Sequence, residues 1–288
     1  MSVYTEHHHE LFTFQNHSLQ ATIYQPTQIE MKTVILYFHG GGFVFGDRDD
    51  LPEPYIEHLV DSGIGIVAVD YPLAPETKLP TILEVTNKIT KWFVQEFLPA
   101  KKQSSYFIMG RSAGAFLALS NGVYTEQLST RPLGIISLYG YYNLNDSSFN
   151  VPNRYYLKYP KVNEQVVSSL IQKGPLFKSA NQNRFLVYLA ARQKGDWTNL
   201  FLTSTQEKRV FSINHEKLKQ LPPLFLASST KDPDVPPRQS RQLANLHENA
   251  SLHLVDIEEH DFDRTHIATL GIDIYQKMTT WILDLLNQ

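Results

Sequence analysis

The sequence predicts an α/β fold: a mostly parallel sheet with helices on both faces and a helical segment inserted late in the chain. Three observations carry this. Short β-rich apolar runs alternate with longer stretches of helical periodicity. The length of 288 residues, with 42% hydrophobic and 19% charged, suits one α/β domain with an insertion. One interval, 141–220, breaks the alternation.

In chain order, LFTFQ (11–15) and LQATIYQ (19–25) read as an opening antiparallel pair. TVILYF (33–38), GIVAVDY (65–71), SYFIMG (105–110), LGIISLYG (133–140), PLFLASS (223–229) and SLHLVDI (251–257) read as buried strands. The helices between them are EPYIEHLVDSG, the segment 81–97, AFLALSNGVYTEQL, PRQSRQLANLHEN and the C-terminal stretch 267–286. In 81–97, Ile82, Val85, Ile89, Trp92 and Phe93 recur at three- and four-residue steps and give one apolar face. From 141 to 220 tyrosines, prolines and short helical pieces dominate. That is too long for a structureless loop in a compact domain, so it predicts an inserted helical subdomain. The boundaries are therefore 1–140 and 221–288 for the core and 141–220 for the insertion.

Composition narrows the partners. With 26 basic against 29 acidic residues and no Lys/Arg-rich run, nucleic acid is not expected. There is no cysteine, which removes disulfides, thiol nucleophiles and thiolate metal sites. MSVYTEHHHELF has no basic region followed by an apolar one, so it does not read as a signal peptide. No apolar stretch approaches the roughly 18 residues a membrane span needs. A cytoplasmic location is the default reading, and nothing in the sequence sets the oligomeric state. The run His7–His9 lacks spaced partners, and no H-E-x-x-H occurs, so no metal is expected.

The chemistry is carried by GRSAG (110–114), placed between the run SYFIM and the helix-prone AFLALSNGV. Strand, tight turn, helix is the setting of a nucleophile elbow, with Ser112 exposed on the turn and the flanking glycines making room. The positive end of the following helix then faces the reacting carbon. A serine needs a base, and a base needs an orienting acid. Asp232 follows the run PLFLASS and His260 follows SLHLVDI, both at strand ends where open α/β sheets bind ligands. The order Ser112, Asp232, His260 is that of α/β-hydrolases. Gly40, Gly41 and Gly42, directly after TVILYF, can turn their amides inward without a side chain in the way. Such N–H donors stabilise a developing oxyanion by roughly 3–4 kcal/mol each. The N–H of Ala113, after the nucleophile, completes that hole. No Gly-Lys-Ser/Thr follows the glycines, which removes a phosphate-binding reading.

HGGG (39–42), DYPLAPE (70–76), GRSAG, DPDVP (232–236) and HDF (260–262) together resemble the hormone-sensitive-lipase-like branch of the α/β-hydrolases. The resemblance covers the sheet but not the insertion. It implies an α/β-hydrolase fold with an inserted helical cap over the pocket, esterase activity on uncharged acyl esters, and no cofactor. It also implies that Gly41 and Gly42 are the donating glycines of HGGG. Pro72 stands where the family's motif has arginine, so an ion pair made there is expected to be missing. TVILYF begins at Thr33, which leaves 141–220 to form the cap alone. A related hydrolase of amides, peptides or lactones would use the same groups. A silent binding protein of the same fold is disfavoured by the intact histidine.

Three finer expectations follow. Asp232 is the orienting acid, since Val235-Pro236 stands three residues beyond it as in the family's pattern, while Asp234 stabilises the turn or faces solvent. His260 titrates near 6.5, shifted somewhat by its carboxylate. The insertion sets specificity while the sheet carries the chemistry, with Phe43, Tyr141, Tyr142, Tyr155, Tyr156 and Trp197 either lining the pocket or filling the cap core.

Overall fold

The computed structural model describes residues 2–178 and 182–288. Its centre is an eight-stranded sheet in the order β1-β2-β4-β3-β5-β6-β7-β8. The strands are β1 (Tyr4–Phe14), β2 (His17–Pro26), β3 (Thr33–Phe38), β4 (Ile64–Val69), β5 (Tyr106–Arg111), β6 (Gly134–Leu138), β7 (Leu224–Ser229) and β8 (Ala250–Val255). The pairs β1/β2 and β2/β4 are antiparallel, and every later pair is parallel.

Parallel strands linked by crossover helices are covered on both faces, which is why TVILYF is a nearly continuous apolar run. Val34, Leu36 and Phe38 enter one core with Ile82, Val85 and Ile89 of the helix Leu79–Trp92 and Phe116 of the helix Ala113–Tyr124. Ile35 and Tyr37 point into the opposite core with Ile56 and Leu59 of the helix Glu53–Asp61 and Ile274 and Met278 of the helix Ile272–Leu286. The period of two along β3 thus divides one apolar run between two cores.

The first strand is longer than the sequence pattern shows. Tyr4–Glu10 lacks an apolar alternation, yet it pairs with β2 from Tyr4↔Pro26 onward. This edge strand is largely solvent-facing, so it needs no apolar face. His7–His9 lie within it, with His9 stacked on Trp92, and no metal-holding cluster is found among the described residues.

Residues 141–220 connect β6 to β7 and contain no strand among the described residues. Four short helices occur there, Glu164–Leu170, Phe185–Lys194, Thr205–Phe211 and His215–Lys219, with single helical turns between them. Tyr141, Leu144, Phe149, Trp197, Phe201 and Leu218 join the core of the first face, so this segment packs as a continuation of that core. Glu76, in the DYPLAPE run, has an ion-pair partner that comes from outside that run. It is Arg184, which also donates to the carbonyls of Val44 and Ala74 at 3.0 and 2.8 Å.

Candidate active site

The predicted site residues meet at the C-terminal ends of β3, β5, β7 and β8. Ser112 follows β5 directly and has φ 52° and ψ −116°, outside the regions an L-residue prefers. The turn holding it there is tight. A Cβ on Gly110 would lie 2.0 Å from the Gly114 carbonyl oxygen, and one on Gly114 would lie 2.1 Å from that of Phe38. Only glycine permits both approaches.

His260 Nε2 lies 2.9 Å from Ser112 Oγ, and its Nδ1 lies 2.7 Å from Asp232 Oδ2. The other Asp232 oxygen accepts from the amides of Asp234 and Val235 at 2.8 and 2.9 Å. A carboxylate that accepts at both oxygens is fixed in orientation, and it selects the tautomer in which Nδ1 carries the proton. Burial by itself would lower the His260 pKa, but the Asp232 charge and hydrogen bond, with Asp234 and Asp261 beyond, raise it to about 9. Burial raises Asp232, an effect the histidine offsets only in part.

The glycine loop is oriented through its carbonyls. In a trans peptide the C=O and the following N–H point in opposite directions. The Gly40 carbonyl accepts from His39 Nδ1 at 2.8 Å, which turns the Gly41 N–H away from it. The Gly41 carbonyl accepts from Val44 and Phe45 at 2.9 and 3.1 Å, which does the same for the Gly42 N–H. Ser112 C=O enters the helix by accepting from Ala115 at 3.0 Å, so the Ala113 N–H points out of the helix start. His39 is fully buried and stacks on Tyr71 with ring centres 4.2 Å apart, and burial lowers its pKa. Its bond to a carbonyl therefore comes from a neutral ring with the proton on Nδ1.

Gly40, Gly41, Gly42, Ser112 and His260 line a cavity of about 670 Å³, a size suited to a small molecule. Tyr155 and Tyr156 also line it, as do Tyr159, Phe185 and Tyr188. Phe43, Tyr141, Tyr142 and Trp197 are buried in the core instead.

Asp234 departs from the expectation of a turn or surface residue. It is 5% exposed and faces the cavity, with Oδ2 4.0 Å from His260 Nε2. Tyr188 donates to its carboxylate at 2.6 and 2.8 Å, and Arg192 pairs with it at 3.0 Å. Despite burial, the Arg192 charge holds its pKa below the usual carboxylate value, with His260, Tyr188 and Tyr156 adding to that. The sequence does carry a sign of this. Arg192 interrupts FLVYLAARQK one turn after Tyr188, so a cation lies on a face that is otherwise apolar.

Beneath Ser112 lies a second buried network that the sequence does not signal. Arg111 donates to Tyr37 Oη at 2.7 Å and pairs with Asp50 at 2.7 Å and Asp263 at 3.2 Å. Asp263, fully buried, also accepts from Tyr139 at 2.7 Å. The elbow is thereby tied to the segment that follows His260, and each buried charge has a partner.

A family model described as alpha/beta hydrolase fold matches residues 35–263. Among named relatives, Esterase LipI of Mycobacterium tuberculosis is 43% identical over 70 residues, which is 24% of this chain and 22% of that protein. An acetyl esterase of Salmonella typhi is 30% identical over 133 residues, 43% of this chain and 40% of that protein. The matches thus span well under half of those relatives' lengths. A solved structure of a protein of unknown function from Staphylococcus aureus is 30% identical, with TM-score 0.84 and 98% of each chain covered. An α/β hydrolase superfamily protein from Enterococcus faecalis is 26% identical, with TM-score 0.86 and 99% of each chain covered. With its sheet, its motifs and a family match over most of its length, this chain belongs to the α/β-hydrolase family, in the hormone-sensitive-lipase-like branch.

Proposed function

We propose that this protein is a serine hydrolase that cleaves carboxylic esters with small or medium uncharged acyl groups through an acyl-enzyme. The observation that carries this reading is the unbroken hydrogen-bonded series Ser112–His260–Asp232 on a strained turn facing a cavity. Ser112 Oγ attacks the ester carbonyl while His260 Nε2 takes its proton, and Asp232 holds the imidazolium through Nδ1. The N–H groups of Gly41, Gly42 and Ala113 receive the oxyanion. As the tetrahedral intermediate collapses, His260 returns the proton to the departing alcohol. Water then enters by the same route and releases the acid. Every step uses the chain's own groups, and the reading assigns no cofactor.

The insertion 141–220 is assigned as a cap, because its Tyr155, Tyr156, Tyr159, Phe185 and Tyr188 supply one wall of the cavity. The names of the relatives, esterase and acetyl esterase, support ester substrates with short acyl groups.

An organophosphonate probe should label Ser112 and no other serine, and Ser112→Ala should abolish both the label and turnover of p-nitrophenyl esters. Labelling that persists in Ser112→Ala would refute the assignment.

A further inference from the structure

The loop that carries the proposed acid is held from the inserted segment at three points. Asn153 Nδ2 donates to the Pro233 carbonyl at 2.9 Å. Arg192 donates to the Asp234 carbonyl at 2.9 Å and pairs with its carboxylate at 3.0 Å. Tyr188 donates to the same carboxylate. The next two amides of this loop, those of Asp234 and Val235, are the ones that fix Asp232. A continuous series of contacts therefore runs from the helix Phe185–Lys194 to the nucleophile: Arg192, Asp234, Asp232, His260, Ser112. Arg192 is 1% exposed and its carbonyl accepts from Asn153 N–H at 2.9 Å, so the series starts from a fixed point.

We propose that Arg192 and Asp234 act as a pair of positioning residues for the serine–histidine–aspartate relay, Arg192 fixing the acid loop and the two charges together setting the field at His260 Nε2. This rests on the serine-hydrolase reading above. Asp234 places a carboxylate 4.0 Å from the nitrogen that receives the serine proton. Alone, that charge would hold the imidazole in its protonated, inactive form. Paired with Arg192, it orients the loop, and the guanidinium offsets only part of the field that Asp234 places on Nε2. The other groups facing the imidazole are Asp232 at Nδ1, Asp261 beside it, Ser112, and the Tyr139 ring at 4.8 Å. Those facing Asp234 are Arg192, His260 and the phenols of Tyr188 and Tyr156.

The pair makes a test with opposite signs. In the full chain, kcat and KM for p-nitrophenyl acetate are measured from pH 5 to 10 for wild type, Asp234→Asn, Arg192→Met and Arg192→Lys, with phosphonate titration counting active sites. Removing the carboxylate should move the acid limb to lower pH by about one unit, and removing the guanidinium should move it up by about as much. Arg192→Met should also lower kcat per active site about tenfold or more with little change in KM, as a displaced catalytic loop does. Arg192→Lys should restore the limb toward wild type. A purely structural role lowers stability without opposed displacements of the limb. If the limbs of Asp234→Asn and Arg192→Met both coincide with wild type, the inference is overturned. If Arg192→Met does not fold, the near-isosteric Asp234→Asn decides alone, and an unmoved limb overturns it. Wild type that takes no phosphonate on Ser112 overturns the serine-hydrolase reading itself, whereas labelled wild type with unmoved limbs overturns only the role of the pair.

Discussion

Trp197, in the inserted segment, donates its indole N–H to the Gly42 carbonyl at 3.0 Å. A single buried side chain outside the sheet thus fixes the end of the glycine loop. Its ring is 2% exposed and packs among Phe43, Tyr141, Phe149 and Phe201. The bond is made inside an apolar cluster, where a lost partner leaves a buried carbonyl unsatisfied.

Trp197→Phe keeps an aromatic ring and removes that donor. The orphaned carbonyl should cost about 1–3 kcal/mol of folding stability, read by urea denaturation. With the loop no longer held, kcat for a small activated acetate should fall about tenfold, while KM changes little. Loss of stability with an unchanged kcat would mean that the loop keeps its shape without Trp197.

The pH dependence should differ from that of an isolated imidazole. As the proposed base, His260 cannot accept the serine proton once protonated, so activity should be present above its folded pKa and lost below it. Because Asp232, Asp234 and Asp261 outweigh burial and raise that pKa to about 9, kcat/KM should fall on an acid limb well above 6.5. The same shift has a stability sign. A folded pKa above the unfolded one stabilises the fold fully below about 6.5, and that contribution fades as pH rises through about 9. A limb at or below 6.5 in folded protein, after correction for spontaneous hydrolysis, would contradict this arrangement.

Sequence legibility followed the physics of each feature. The central parallel strands were readable because burial on both faces favours nearly continuous apolar runs, as in TVILYF. That Ser112, Asp232 and His260 stand close together was readable because each follows a strand whose end lies on the same side of the sheet. Tyr4–Glu10 was not, since an exposed edge strand imposes no pattern. The grip of Arg192 on Asp234 joins residues 42 positions apart through an insertion with no periodic signal. Read locally, "DPDVPP" makes Asp234 a turn or solvent-facing residue, and the cation on the helix face FLVYLAARQK is the one sign of its partner.

The insertion should divide into two kinds of residue. Trp197, Tyr188 and Arg192 bond to the loops that carry Gly42 and Asp232. Tyr155 and Tyr159 line the same cavity, but the partners of their hydroxyls are each other, at 3.3 Å, and Tyr159 is 43% exposed. They form wall without holding machinery. Shortening the wall removes apolar contact with an extended acyl or alcohol group, an effect of about 1–3 kcal/mol for a buried group of that kind. It leaves the bonds that orient the glycine loop and the Asp232 loop in place. Tyr155→Ala and Tyr159→Ala should therefore change the ratio of rates on p-nitrophenyl octanoate and acetate about tenfold, far more than they change the acetate rate itself. Trp197→Phe should lower both rates together and leave their ratio near that of wild type. If the tyrosine variants lose acetate and octanoate activity in parallel, the aromatic wall is coupled to the catalytic loops and the two kinds of residue are one.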